Sequence, residues 1–339
     1  MPNKAFALLV PAVAALLVAT PALAAPNVVA TIKPLHSLVA GVMEGVGTPE
    51  LLIEGAASPH GFSLRPSDAG KLESADLVFW IGEDLETFLD GPLETLSANA
   101  TKIEMMDTEG MNILELREGG LFEAHSHDDE EGHEDHAEGE EHDHAEDEHA
   151  HEDEDAHEGH DHEGHDHEHG DAHIWLDPDN ARLMVAAIAD ALIAADPENQ
   201  EAYNANGQAL VARIDDLQAE IDARIEPARG KPFFVFHDAY QGFEQSFDIE
   251  AGGSFTVNPE IAPGAGRLTE IRAVVEQAAA VCLFAEPQFS PQVIQTIAQG
   301  TGARTGILDP LGADIADGPD LYFTLMNTMA DSILDCLAD

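Results

Sequence analysis

The chain has 339 residues, with 14 Lys and Arg against 66 Asp and Glu, a formal net charge of −52. That balance argues against nucleic acid or an anionic membrane as partner and suits cations. The length allows two ordinary domains.

At the start, "MPNKAFALLVPAVAALLVATPALAAPN" carries Lys4, an apolar run and the small-residue triplet Ala22-Leu23-Ala24. This is the pattern of a cleaved secretory signal over residues 1–24. The run contains Pro11 and Pro21 and is shorter than the ~20 residues a membrane-spanning helix needs. No cysteine lies near the cleavage point, so a lipid anchor on an N-terminal cysteine is not expected. The mature protein is therefore expected to be soluble in the periplasm. In such an oxidising compartment the two cysteines, Cys282 and Cys336, form a disulfide more often than two free thiols.

From residue 27 short apolar strands alternate with helices. "NVVATI" reads as a strand, "LHSLVAGVM" as a helix and "PELLIE" as a strand. "SDAGKLESA" reads as a helix with Ser67 as its N-cap. "DLVFWIG" and "TKIEMM" read as strands on either side of a helical "ETFLDGPLETL". The alternation predicts a parallel sheet with helices on both faces.

Between Arg117 and Arg182 there is no Lys or Arg. Residues 123–171 hold 24 acids and 14 of the 18 histidines. With few apolar side chains, this stretch cannot bury enough surface to offset its ordering entropy, so residues 123–170 are expected to be a disordered insertion. Its histidines are His125, His127, His133, His136, His142, His144, His149, His151, His157, His160, His162, His165, His167 and His169. Mixed with carboxylates, they offer many weak metal-binding combinations. The bland alternative is a solvated polyanionic linker, but histidine at this density is not usual for one.

After the insertion, "DNARLMVAAIADALIAADP" shows helical spacing. Between Pro197 and Pro227, Tyr203, Leu210, Ile214, Leu217 and Ile221 form one narrow apolar stripe. A helix over 198–226 would be about 44 Å long at ~1.5 Å per residue. It is either a rigid connector or an ordinary surface helix. The strand–helix alternation then resumes in "PFFVFHDAY", "VCLFAEP" and "RTGILDP", and ends in a helical "LYFTLMNTMADSILDCL". No sequence repeat relates the two halves.

Four histidines lie outside the tract: His36, His60, His173 and His237. His237 ends a predicted strand, His60 follows one closely, and His173 precedes a helix. Asp309 follows "TGIL" in the same way as His237 follows "FFVF". Ligands of open α/β sheets bind outside the carboxyl ends of the strands. If the two halves face each other, His60, His173, His237 and Asp309 converge between them. Three imidazoles, with or without a carboxylate, suit Zn²⁺, although imidazole also suits copper and nickel. His36 sits early in a helix and reads as a satisfied histidine.

The ordered set "SPHGFSLRPSD", "HIWLDPDNA", "FHDAYQGFE", "PGAGR" and "GILDPLGAD" resembles the ZnuA family, periplasmic zinc-binding components of bacterial ABC importers. The resemblance covers essentially the whole mature chain. It implies a cluster A-I solute-binding fold: two α/β lobes with parallel sheets, joined by one long rigid helix. The boundaries it implies are a first lobe at 25–196, a linking helix at 197–227 and a second lobe at 228–339. The family's zinc ligands map onto His60, His173 and His237. Asp309 or water fills the remaining position. Some members carry a glutamate directly before the first histidine, where this chain has Pro59. The relatives' disulfide maps onto Cys282 and Cys336. The implied partners are an inner-membrane permease with its cytoplasmic ATPase, and periplasmic metallochaperones, with the protein itself a monomer. Zn²⁺ is the transported ligand, and the histidine-rich loop collects, buffers or senses it. The rival readings are a manganese or iron binding protein, a metal-dependent adhesin or buffer, and a secreted zinc hydrolase. Against the hydrolase, the sequence has no HExxH motif.

Overall fold

The computed structural model describes residues 25–117, 170–256, 259–260 and 263–337. The expected signal segment 1–24 and the histidine-rich loop up to His169 lie outside the described residues.

The first half builds β1 (Val28–Ala30), α1 (Lys33–Val42), β2 (Glu50–Leu51), α2 (Pro66–Ser74), β3 (Leu77–Trp80), α3 (Asp90–Thr95) and β4 (Thr101–Glu104). Its strands are parallel, in the order β2-β1-β3-β4. Every residue of β3 is buried, which is why "LVFW" shows no polar alternation: helices cover both faces of the sheet. On α1 the apolar residues Leu35, Leu38, Val39 and Val42 recur at helical spacing and are fully buried. One local expectation is corrected: Ser67 is not the N-cap of α2. The helix starts at Pro66, whose fixed φ suits the first helical position. Arg65 is the cap residue, and its backbone N–H donates to the Asp68 carboxylate at 2.9 Å.

The chain leaves the described part at Arg117 and re-enters at Gly170, beside its own exit. Glu115 and Gly170 form an antiparallel bridge, and the Asp171 N–H donates to the Leu114 carbonyl at 2.8 Å. Next come α4 (Pro178–Ala195) and α5 (Gln200–Ile225). In α5 the buried residues Tyr203, Gly207, Leu210, Ile214, Leu217, Ile221 and Ile225 recur every three or four positions. This 26-residue helix, about 39 Å long at ~1.5 Å per residue, packs against α4 and α1.

The second half builds β5 (Phe233–His237), α6 (Gln241–Phe247), β6 (Ser254–Thr256), α7 (Ala265–Gln277), β7 (Cys282–Ala285), α8 (Gln292–Ala298), β8 (Arg304–Ile307) and α9 (Leu321–Leu337). Its sheet is also parallel, in the order β6-β5-β7-β8. The two halves thus share one topology, although no repeat is visible in the sequence.

The last helix crosses back over the first half. α9 packs against α1 and α5 as well as β8. The Tyr322 N–H donates to Ser37 Oγ at 3.0 Å, and the Tyr322 hydroxyl donates to the Trp175 carbonyl at 3.1 Å. Arg213 and Arg224 of α5 pair with Asp320 and with Asp331 of α9. A disulfide between Cys282 of β7 and Cys336 of α9 fixes the far end of that helix, with Cα atoms 5.9 Å apart. Among the described residues no helix is long and apolar enough to cross a membrane.

Candidate metal site

Two loops and the end of a strand bring His60, His173 and His237 together. His237 is the last residue of β5. The sheet order puts β6 on one side of β5 and β7 on the other, so β5 and β7 flank the point where the strand order reverses. That is where open α/β sheets leave a crevice. His60 lies on the loop after β2, directly after Pro59. His173 is held more firmly. It is preceded by the Leu114–Asp171 backbone bond and followed by a short 3-10 turn, Ile174–Leu176. α4 then begins at Pro178, with the Asp177 side chain accepting the Asp179 N–H at 2.8 Å. Trp175 is fully buried in that turn and donates its indole N–H to the Pro310 carbonyl at 2.8 Å.

The Nε2 atoms of His60 and His173 are 3.3 Å apart, and those of His237 and His173 are 3.2 Å apart. A donor nitrogen from each of the three lies within 4.8 Å of the others. A tetrahedral ion with metal–nitrogen distances of ~2.0–2.1 Å sets its donor atoms ~3.3–3.4 Å apart. The spacing therefore fits an ion of zinc's size.

Two carboxylates fix which nitrogens are available. The His173 Nδ1–H donates to Asp171 Oδ1 at 2.8 Å, and that oxygen also accepts the His173 backbone N–H at 3.0 Å. The His237 Nδ1–H donates to Glu286 Oε1 at 2.7 Å. A carboxylate can only accept, so both rings carry their proton on Nδ1. In the neutral rings Nε2 then presents a bare lone pair. Two lone pairs 3.2 Å apart repel unless a cation lies between them. This pairing of imidazole with carboxylate is the arrangement that orients metal-binding histidines and raises their basicity.

Burial is deep: His173, His237, Asp171 and Glu286 are each less than 10% exposed. Burial, with the neighbouring imidazoles adding to it, holds the His60 pKa well below the usual histidine value. Burial alone would also lower the pKa of His237. The Glu286 carboxylate, joined by Asp238 and Asp171, outweighs it, and the net direction is up. Trp175, Phe289 and Pro310 give the cavity apolar walls.

Arg117 of the first half reaches across to the second. Its guanidinium contacts both Asp238, the neighbour of His237, and the buried Glu244 of α6.

The structure does not bring Asp309 into the histidine group. Its carboxylate accepts backbone N–H bonds from Leu311, Gly312 and Ala313 at 2.6–3.1 Å, and the Gln288 side-chain amide at 2.8 Å. His36 lies on α1 outside the group, with Nε2–H donating to the Pro49 carbonyl at 3.1 Å. The fourteen tract histidines lie outside the described residues.

Asp171 and Glu286 were missed at the level of sequence. Glu286 follows the strand "VCLFA" just as Asp309 follows "TGIL", so the rule that selected Asp309 applied equally to Glu286. Asp171 stands at the end of an acid-rich run, and its bond to His173 is visible only in the folded chain.

A family model described as "Zinc-uptake complex component A periplasmic" matches residues 28–336. A high-affinity zinc uptake system protein ZnuA of Brucella suis is 50% identical over 312 residues, covering 92% of each chain. Its Yersinia pestis counterpart is 38% identical over 327 residues, covering 95% of each. The solved structure of the periplasmic zinc binding protein TroA from Treponema pallidum superposes with a TM-score of 0.72. It covers 93% of this chain and 99% of its own at 19% identity, a likeness of fold.

Proposed function

From the premise that this chain belongs to the ZnuA family, whose members are solute-binding components and not enzymes, we propose that it captures Zn²⁺ in the periplasm for uptake. His60, His173 and His237 bind the ion through Nε2. The observation that carries this reading is the set of Nε2 atoms 3.2–3.3 Å apart, two of them turned toward the site by the bonds that Asp171 and Glu286 accept from the opposite ring nitrogen. That arrangement is costly for the empty protein and favourable around a cation.

The further steps follow from what an uptake component must do. A signal over residues 1–24 exports the chain. The lobes at 25–196 and 228–339, joined through 197–227, present the loaded site to a membrane permease driven by a cytoplasmic ATPase. The protein acts as a monomer and exchanges zinc with periplasmic metallochaperones. The histidines between His125 and His169 collect or buffer zinc beside the site. Their support is position: the chain enters and leaves that segment at Arg117 and Gly170, next to Asp171 and His173.

Zinc titration against a competing chelator tests the site. The full chain shows one tight site and a set of weaker ones. Replacing His60, His173 and His237 together by Ala abolishes the tight site and leaves the weaker set. A tight site that survives the triple replacement overturns the assignment.

A further inference from the structure

The cavity around the three imidazole nitrogens has a volume of about 10 Å³, room for about one particle of water's size. An ion seated on the nitrogens takes up that room and faces the polar atoms of the cavity wall.

Two wall oxygens, Ser58 Oγ and Gln288 Oε1, are fully buried and have no hydrogen-bond partner. Buried polar atoms are normally paired, and each one left over calls for an explanation. Two around a single cavity, beside the lone pairs of His173 and His237, give a lining rich in acceptors, which a cation satisfies. No carboxylate among the described residues joins the three nitrogens within 4.8 Å. That leaves out Asp309, and it leaves out Glu286, which is already held to His237 through its other oxygen.

The orientation of Gln288 is fixed. Its side-chain N–H donates to Asp309 Oδ1 at 2.8 Å, and a carboxylate cannot donate in return, so the group facing Asp309 must be the NH₂. Asp309 cannot turn away, because the N–H groups of Leu311, Gly312 and Ala313 hold its two oxygens. The amide carbonyl is thereby the free end of Gln288.

We propose that Gln288 Oε1 supplies the fourth ligand to the captured ion, and that Asp309 is the positioning residue that aims it. This deepens the zinc-capture reading and rests on it. A neutral amide oxygen adds no charge to the site. The two positive charges of the ion are then matched by Asp171 and Glu286 acting through the imidazoles. A carbonyl oxygen is also a weaker donor than a carboxylate, which suits an ion that must be released again.

The test uses the full chain loaded with Co²⁺, whose visible absorption reports the ligand set, together with zinc affinity by chelator competition. The histidine-rich segment is common to all variants and cancels in the differences. Gln288→Met removes the oxygen and should change the Co²⁺ bands and weaken zinc binding by about 10-fold or more. Asp309→Ala removes the acceptor, lets the amide turn and should shift the bands the same way by less. Equal Tm of the metal-free parent and metal-free Gln288→Met separates lost ligation from lost folding. Bands and affinity unchanged in Gln288→Met overturn the proposal, as does a loss confined to Ser58→Ala. A parent protein with no tight zinc site would instead remove the zinc reading beneath it.

Discussion

Replacing Arg117 by Met removes the guanidinium and keeps much of the side-chain bulk. In the parent this group bridges Asp238 and Glu244, whose side chains are only 12% and 5% exposed, and is itself 21% exposed. Removing one partner of a fully buried ion pair costs ~3–5 kcal/mol. The partial exposure of Arg117 reduces this to roughly 2–3 kcal/mol. For a chain of this size each kcal/mol corresponds to ~2–4 °C, so Tm should fall by roughly 4–12 °C at pH 7.5. Burial already raises the Glu244 pKa, against the opposing pull of Arg117. Without Arg117 it rises further. Above the ordinary glutamate value the unfolded chain has then released a proton that the folded chain still holds, so the variant loses stability as pH rises through that window. Near pH 5 a protonated Glu244 needs no counter-charge, and the gap to the parent should narrow. Denaturant unfolding of both proteins at pH 5 and 7.5 measures this, and titration of the histidine-rich segment cancels between them. An equal deficit at both pH values, or none at either, would refute the argument that Arg117 compensates a buried carboxylate.

Glu286→Gln keeps an acceptor for the His237 Nδ1–H but discards the charge. It should weaken zinc binding ~10–100-fold, measured by chelator competition; unchanged affinity would show that Glu286 only packs. Reducing the Cys282–Cys336 bond, which closes a 54-residue separation, should cost ~4 kcal/mol, read as a shift in the urea midpoint with and without reductant. Glu86 is fully buried among the Thr31 hydroxyl and the N–H groups of Ile81 and Gly82, and burial pushes its pKa up to about 7. Between the ordinary glutamate value and about 7 the folded state binds more protons than the unfolded one, so this group lowers stability as pH rises. Glu86→Gln should flatten that part of the stability–pH curve, and an unchanged slope in urea titrations from pH 4.5 to 7.5 would contradict it.

The sequence by itself determined the local features. Short apolar runs such as "LVFW", too short for helices and alternating with helical segments, read as strands covered on both faces. The stripe from Tyr203 to Ile221 can only be one face of a long helix, because periodicity is a property of neighbouring residues. Chain position also singled out His60 and His237, since a strand's carboxyl end is visible as the end of an apolar run, and His173, which stands just before a helix. Family motifs supplied the Cys282–Cys336 pairing. Tertiary structure alone decided the rest, because those choices rest on contacts between residues far apart in the chain. The crossing of α9 onto α1 depends on Tyr322 meeting Ser37, 285 positions away. The tautomer of His237 depends on Glu286, 49 positions away across the β5–β7 pair. Asp309 illustrates the limit most directly. Its place after a strand pointed to the metal, but its oxygens were already taken by the N–H groups of its own loop, and only the folded backbone could show that.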